Sequence, residues 1–352
     1  MPTDFEKVCL WGKTGSGRPT VKSVLLTRNG HRRGRGEAGV QPTANHHKMR
    51  GWPIGKTGTI RKAAPMDIAI RRATDLDANA CGRICYEGFR TVNERYGFPP
   101  TFPSVEVATQ RVGGFIRHPS VFGVVAEAGG RIVGFNFLSE RDPIRAVGPI
   151  VTDPASQGHG IGRQLMEAVL GRARGARGVR LLQDTFNVQS LSLYASLGFD
   201  AQEIFVVLSG APPSAPSSDW EIRSLTASDM AGCEALHESI HGYSRTNELR
   251  DALATGAPIV TLRDGRVRAY MAAPTIWLAN HGVAETDEDM QALLLGAARL
   301  AKQPISFLMP ARRAALFRLC LTQGFRAIRP MTLMTIGEYR EPRGNYFPSV
   351  LY

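Results

Sequence analysis

The feature that most restricts how this 352-residue chain can fold is that it repeats itself. Ile70, Arg71, Thr74, Asp77 and Cys81 recur as Ile222, Arg223, Thr226, Asp229 and Cys233, each pair 152 positions apart. Further on, "LYASLGF" meets "LCLTQGF", and Leu193, Gly198 and Phe199 correspond to Leu319, Gly324 and Phe325 at an offset of 126. Five identities held in register, followed by a second block in the same order, mark a tandem duplication whose second copy is 26 residues shorter between the blocks. The Pro- and Ser-rich "APPSAPSSD" at 211–219 reads as a linker between the copies. The expected organisation is a basic extension over 1–65, a first domain over 66–210, the linker, a second domain over 220–340 and a tail over 341–352.

Within the first copy the hydrophobic pattern alternates between helix and strand. "DIAIRRA" reads as a strand, "DANACGRICYEGFR" as a helix, and "VFGVVAEAG" and "IVGFNFLSE" as strands joined by a Gly-Gly turn. "AVGPIVT" is expected as one buried strand, followed by a glycine loop and the helix it opens. "VRLLQDTF" then supplies a strand, "QSLSLYASLG" a helix and "AQEIFVVLSG" the last strand. Such mixing predicts an α/β (α+β) fold, a central mixed sheet flanked by helices and used twice.

The formal charge is +12, but residues 1–65 hold six Lys and seven Arg against Asp4, Glu6 and Glu37. That leaves +2 for the rest, so the charge gives the globular part no polyanion-binding character. The glycine-scattered leader lacks the apolar surface to order itself. Three readings stand for it: a dispensable extension with the true start at Met66, a targeting peptide, or an arm that binds polyanions. No apolar run is long enough to span a bilayer and no signal segment opens the chain, which points to a cytoplasmic protein. Cys9, Cys81, Cys85, Cys233 and Cys320 are odd in number and lack metal spacing, so they read as reduced, buried thiols.

Two motifs are decoys. "RGWPIGKTGT" resembles a phosphate-binding loop, but three residues rather than four separate Gly51 from Gly55, with no strand before and no helix after. "EALHESIHGY" places His237 and His241 one helical turn apart with Glu238 beside them, as a zinc peptidase would. Asn247 stands where an extended zinc motif would want its third ligand, a later Glu such as Glu285 stays open for that place, and the repeat register sets the two histidines over Cys85 and Phe89, which make no metal pair. No metal is expected.

The chemistry is carried by "DPASQGHGIGRQLMEAVL". A strand, a glycine turn and a helix N-terminus form an anion site, because free amides and the helix dipole point outward. The dinucleotide fingerprint fails: Arg163 stands where its last glycine belongs, and no acidic residue ends the next strand in the required way. What remains is Gln157-x-x-Gly160-x-Gly162-Arg163, with Gly158, Gly160 and Gly162 alternating so that a pyrophosphate can lie against bare backbone.

This motif, with "NVQSLSLYASLGF" downstream, resembles the GNAT superfamily of N-acetyltransferases over residues 66 to about 208. The resemblance implies acetyl-CoA as a substrate. Gln157, Gly158, His159, Gly160, Ile161, Gly162 and Arg163 would hold its pyrophosphate. Val151 and Thr152 would pair with the pantetheine arm, a splayed amide there polarising the thioester. Asn187 would contact the pantetheine or phosphate region, and Tyr194 would be the general acid for the leaving thiolate. Read as residues alone, Tyr194 has a core aromatic and Asn187 a helix cap as the alternative reading. Glu140 and Asp142 are candidates for the base and equally solvated loop charges.

The second copy lacks the glycine motif. Glu285, Asp287, Glu288 and Asp289 crowd its helix start, where they would repel a pyrophosphate, and Cys320 replaces the tyrosine. It is expected to have lost coenzyme binding. The leading function is N-acetylation of a primary amine on a small molecule or protein, with a non-catalytic acyl-CoA sensor as the alternative. A homodimer is left open, and neither nucleic acid, the leader apart, nor membrane is an expected partner.

Overall fold

The computed structural model describes residues 67–352. The basic leader, the decoy at Gly51–Gly55 and Cys9 lie outside the described residues.

The first copy opens with β1 (Ala69–Arg72), and the repeated Arg, Thr and Asp set the course of the chain beyond it. The Arg71 guanidinium donates to both Asp77 oxygens at 2.8 and 2.9 Å, while Asp77 Oδ2 also accepts the Thr74 amide at 2.8 Å. This bidentate pair, acting with a capping box, fixes the angle at which α1 (Ala78–Tyr96) leaves the strand. It also holds the Asp77 carboxyl down at about 2, since Arg71 stabilises its charge. Next come α2 (Val105–Arg117), a helix that the hydrophobic pattern does not announce, and the hairpin β2 (Val121–Ala128) and β3 (Arg131–Ser139). Alternation then sorts their side chains: Val121, Val125, Phe135 and Phe137 pack under α1 and α2, whereas Val124 and Ala126 pack on the other face, to which a bulge between Ile132 and Gly134 also turns Val133.

"AVGPIVT" is not one strand. It breaks into β4 (Ile144–Val147) and β5 (Val151–Thr152): Gly148 still donates to the Phe137 carbonyl at 2.9 Å, but Pro149 after it has no N–H to offer the ladder. After it run α3 (Ile161–Arg172), β6 (Gly178–Asp184), α4 (Val188–Ser196) and β7 (Asp200–Gly210). Only Ile144–Ala146 of β4 pairs with β6, in parallel, and β5 pairs instead with β3. The sheet therefore splays beside Leu181–Asp184, and the site lies in that gap.

The second copy repeats the order: β8 (Glu221–Ser224), α5 (Met230–His241), α6 (Thr246–Thr255), β9 (Ile259–Arg263), β10 (Arg266–Met271), β11 (Gly282–Ala284), α7 (Asp287–Ala301), β12 (Ile305–Pro310), α8 (Ala314–Thr322), β13 (Arg326–Gly337) and β14 (Asn345–Phe347). Arg223 grips Asp229 at 2.7 and 2.9 Å, and Thr226 donates its amide to Asp229 at 2.8 Å, as in the first copy.

The sequence pattern gives each copy its own sheet, but the strands are distributed otherwise. β13 lies between β6 and β7, and β7 in turn pairs with β12, so the copies exchange their final strands. The result is a nine-stranded sheet carrying elements of both halves, beside a five-stranded sheet in the order β14-β11-β10-β9-β8. The exchange reaches the cores as well. Met334 of β13 packs with Leu165, Val169 and Tyr194 of the first copy, while Leu208 of β7 packs with Phe307 and Phe325 of the second.

Candidate active site

The gap between β5 and β6 opens into a cavity of about 650 Å³ floored by the start of α3. Val151, Thr152, Gln157, Gly158, Gly160, Ile161, Gly162, Arg163, Asn187 and Tyr194 all line it; His159 does not, and its Nδ1 lies 3.1 Å from the Ser156 carbonyl oxygen. Gly158 and Gly160 sit at φ +88° and +79°, the left-handed region that a side chain resists. A Cβ on either would meet no atom within 4 Å, so both glycines face open space. α3 has Gly160 as its N-cap and no side-chain cap, which leaves its first-turn amides for a ligand. Arg163, exposed at the helix entrance, donates to Ser196 Oγ at 2.6 Å. Bare amides, a helix dipole and one guanidinium fit a coenzyme pyrophosphate.

Asn187 caps α4, accepting the Ser190 amide at 3.3 Å, and its position on the cavity wall is compatible with a second contact. Tyr194 is buried against Phe199 at 6.1 Å, yet it lines the cavity. Burial and the charge of Asp184 both push its pKa up, so the hydroxyl holds its proton at neutral pH.

A second chamber of about 160 Å³ shares Phe89, Ile150, Asp184, Asn187, Ser190 and Tyr194 with the first. Its far wall comes from the second copy, through Trp277, Leu278, Arg329, Met331 and Val350. Arg329 is there because of the strand exchange: β13 shifts register between Ala327 and Arg329. The buried guanidinium donates to Asp184 Oδ1 at 3.2 Å, Thr101 Oγ1 at 3.1 Å, Asn93 Oδ1 at 3.0 Å and the Pro99 carbonyl at 2.7 Å. It thus ties the loop after α1 to the end of β6. Burial raises the Asp184 pKa and Arg329 opposes that rise.

Neither suggested base reaches this place. Glu140 pairs with Arg172 at 3.1 Å, and Asp142 accepts the Asn247 and Glu248 amides at 3.2 and 3.3 Å, capping α6. The carboxylate at the junction of the chambers is Asp184, passed over in the sequence although an acid closing the apolar run "VRLLQD" was its visible signal. Arg329 had no such signal, since only the exchange brings it near.

His237 and His241 stack at 4.3 Å inside the second copy, where His237 Nδ1 lies 2.7 Å from the Tyr243 carbonyl oxygen and His241 Nδ1 lies 3.1 Å from the Tyr352 hydroxyl. Among the described residues no group of three or more His, Cys, Asp or Glu is gathered to hold a metal. Cys81, Cys85, Cys233 and Cys320 are free and buried. None of the described helices is long and apolar enough to cross a membrane.

The family description "Acetyltransferase (GNAT) family" matches residues 89–199, which hold both the glycine loop and Tyr194. A mycothiol acetyltransferase from Thermomonospora curvata is 39% identical over 92 residues, covering 25% of this chain and 31% of that protein. A second, from Streptosporangium roseum, is 36% identical over 86 residues, 22% of this chain and 26% of that protein. The matched stretches thus span under a third of these relatives' length. In overall fold, a Pyrococcus horikoshii protein described as an acetyltransferase superposes with a TM-score of 0.64 at 16% identity, over 81% of this chain and 94% of that one. A tandem GNAT protein from the clavulanic acid biosynthesis pathway gives 0.52 at 12% identity, over 78% and 100%. Residues 89–199, within the first copy, are thus similar to the GNAT acetyltransferase family, and the chain shares the fold of these solved structures.

Proposed function

We propose that this protein transfers an acetyl group from acetyl-CoA to a primary amine, with all the chemistry in the first copy. The observation that carries this reading is the continuity of two chambers across Asp184, Asn187 and Tyr194, one floored by an uncapped helix N-terminus and the other closed by the second copy. Acetyl transfer is also what the curated relatives are named for.

The residues divide the work by their chemistry. Amides of the α3 first turn and Arg163 bind the pyrophosphate; Val151 and Thr152 flank the pantetheine arm. The amine nitrogen attacks the thioester carbon, the carbon–sulfur bond breaks, and two protons must move. Asp184, with its basicity raised by burial, takes the amine proton, directly or through water. Tyr194 gives its proton to the departing thiolate, a role for which a tyrosine kept neutral by burial is suited.

The second copy serves as scaffold. Its α7 start is filled by its own side chains, so we assign it no coenzyme. The test is calorimetric titration with acetyl-CoA, followed by thiol release with a panel of amines. Acetyl-CoA at a hundred times its Kd should stabilise the protein by about 2.7 kcal/mol. Binding with no thiol release for any amine would leave an acyl-CoA sensor instead, and no binding would end both readings.

A further inference from the structure

The second chamber holds one charge for which acetyl transfer has no use. Arg111, on α2, lines it half-buried, its guanidinium 5.5 Å from the centre of the Phe115 ring. Among the described residues no hydrogen bond and no carboxylate acts on it. Asp184, the one carboxylate on the wall, is already engaged by Arg329. Arg141, whose charge adds to the burial that disfavours a cation at Arg111, is itself paired with Asp251 at 2.8 Å. The chamber therefore carries one uncompensated positive charge among Phe89, Phe102, Trp277, Leu278 and Met331. A cation held partly out of water without a counter-ion costs free energy that an incoming anion would recover.

Resting on the acetyl-transfer reading of this site, we propose that the acceptor is a small amine that also bears a carboxylate, an amino-acid-like compound with an apolar side chain. Arg111 receives the carboxylate while the amine faces Asp184 and Tyr194. The planar guanidinium fork matches two carboxylate oxygens. One negative charge also balances one positive, whereas a doubly charged phosphate would leave a surplus in an apolar chamber. The volume of about 160 Å³, closed on the far side by Trp277 and Val350, suits a small molecule rather than a polypeptide.

The experiment is calorimetry on the full chain saturated with coenzyme A, titrated with L-phenylalanine, L-phenylalaninamide and the aminophosphonate analogue of phenylalanine. L-Phenylalanine is expected to bind about 10- to 100-fold tighter than its amide, the span of a charge-assisted hydrogen bond. Arg111→Gln should erase that difference at unchanged amide affinity, and Arg111→Lys should keep part of it. Equal binding of acid and amide, binding of neither, a preference that survives Arg111→Gln, or tighter binding of the phosphonate would each overturn the assignment. If Arg111→Gln does not fold, the wild-type comparison decides alone. Because the readout is binding, it separates from the catalytic reading. Carboxylate selectivity without thiol release from acetyl-CoA sinks acetyl transfer and spares Arg111, whereas acetylation restricted to uncharged amines does the reverse.

Discussion

α3 and α7 begin at the same place in two copies of one fold, and they treat their first-turn amides in opposite ways. α3 starts at Gly160 with no side-chain cap and opens on the large cavity. α7 starts with a capping box: Thr286 Oγ1 accepts the Asp289 amide at 3.2 Å, and Asp289 Oδ2 accepts from the Thr286 amide, also at 3.2 Å. Trp220 Nε1 donates to Asp289 Oδ1 at 2.8 Å, and Asp287 and Glu288 complete an acidic first turn. A helix N-terminus has a few free donors, so it can stabilise its own fold or hold a ligand's anion, not both. The last helices diverge likewise: Tyr194 borders a cavity, while Cys320 at the matching position packs with Phe325. One copy leaves its helix-start amides uncapped beside a cavity, and the other satisfies them from its own side chains.

The largest effect should separate those last helices. Tyr194→Phe is expected to lower turnover by roughly 10²- to 10⁴-fold at near-constant acetyl-CoA affinity, the range for a positioned acid. Cys320→Ala should leave turnover per folded molecule unchanged. Full turnover by Tyr194→Phe, under conditions where chemistry limits the rate, would make that tyrosine core filler.

The dependence of the first copy on the second is tested by Arg329→Met. Removing one member of a buried ion pair should cost about 3–5 kcal/mol in denaturant unfolding, and turnover should fall through a displaced Asp184. A loss below about 1 kcal/mol, the size of an exposed ion pair, would show that the exchanged strand supplies packing only.

Acid should act through the second copy. Among the described residues the core histidines are His237, His241 and His281, all in that half. Burial holds His237 at about 3 and the other two well below their usual value. Glu248 lies 3.6 Å from His281 but is already held by Arg245. Folded pKa values below the unfolded value mean that the unfolded chain binds the extra protons. Stability is then complete above about pH 6.5 and lost as pH falls, by up to about 1.4 kcal/mol per pH unit for each histidine. Asp77, held at about 2, adds its loss only below the ordinary carboxylate range. Equilibrium unfolding at pH 7.5, 6 and 5 measures the slope, and a flat profile would contradict the buried cluster.

The smallest effect in stability goes with a clear loss of binding. Arg163→Asp gives α3 an acid in its first turn, as α7 has, but it also replaces the i,i+4 pair of Arg163 with Glu167 by two like charges. The helix-dipole gain of about 0.3–1 kcal/mol is largely offset, so stability should move by no more than about 0.5 kcal/mol while acetyl-CoA binding weakens. Unchanged acetyl-CoA affinity would mean that the comparison of the two helix starts misses the feature that distinguishes them.

Much of this molecule was legible without coordinates because its signals are local. The Arg-Thr-Asp clamp repeats within seven residues, and strand alternation and the glycines of α3 act through neighbours a few positions apart. The duplication and the anion cradle rest on these. Asp184 is legible as the acid that closes the apolar run of β6, but not what it faces, which the two chambers decide. α2 was missed because its pattern, "VEVATQRVGGFIR", carries two glycines inside a helix. The rest depended on distance along the chain. Which copy's last strand lies beside β6 is a choice between two similar strands, and local pattern cannot rank them. The exchange buries Met334 and Leu208 in the opposite cores. Arg329 reaches Asp184 across 145 positions only because of that choice. Sequence determined what each segment can be, since propensity and capping act over one or two turns. The tertiary structure decided which segments complete the site, because burial and charge pairing depend on what is brought near in space.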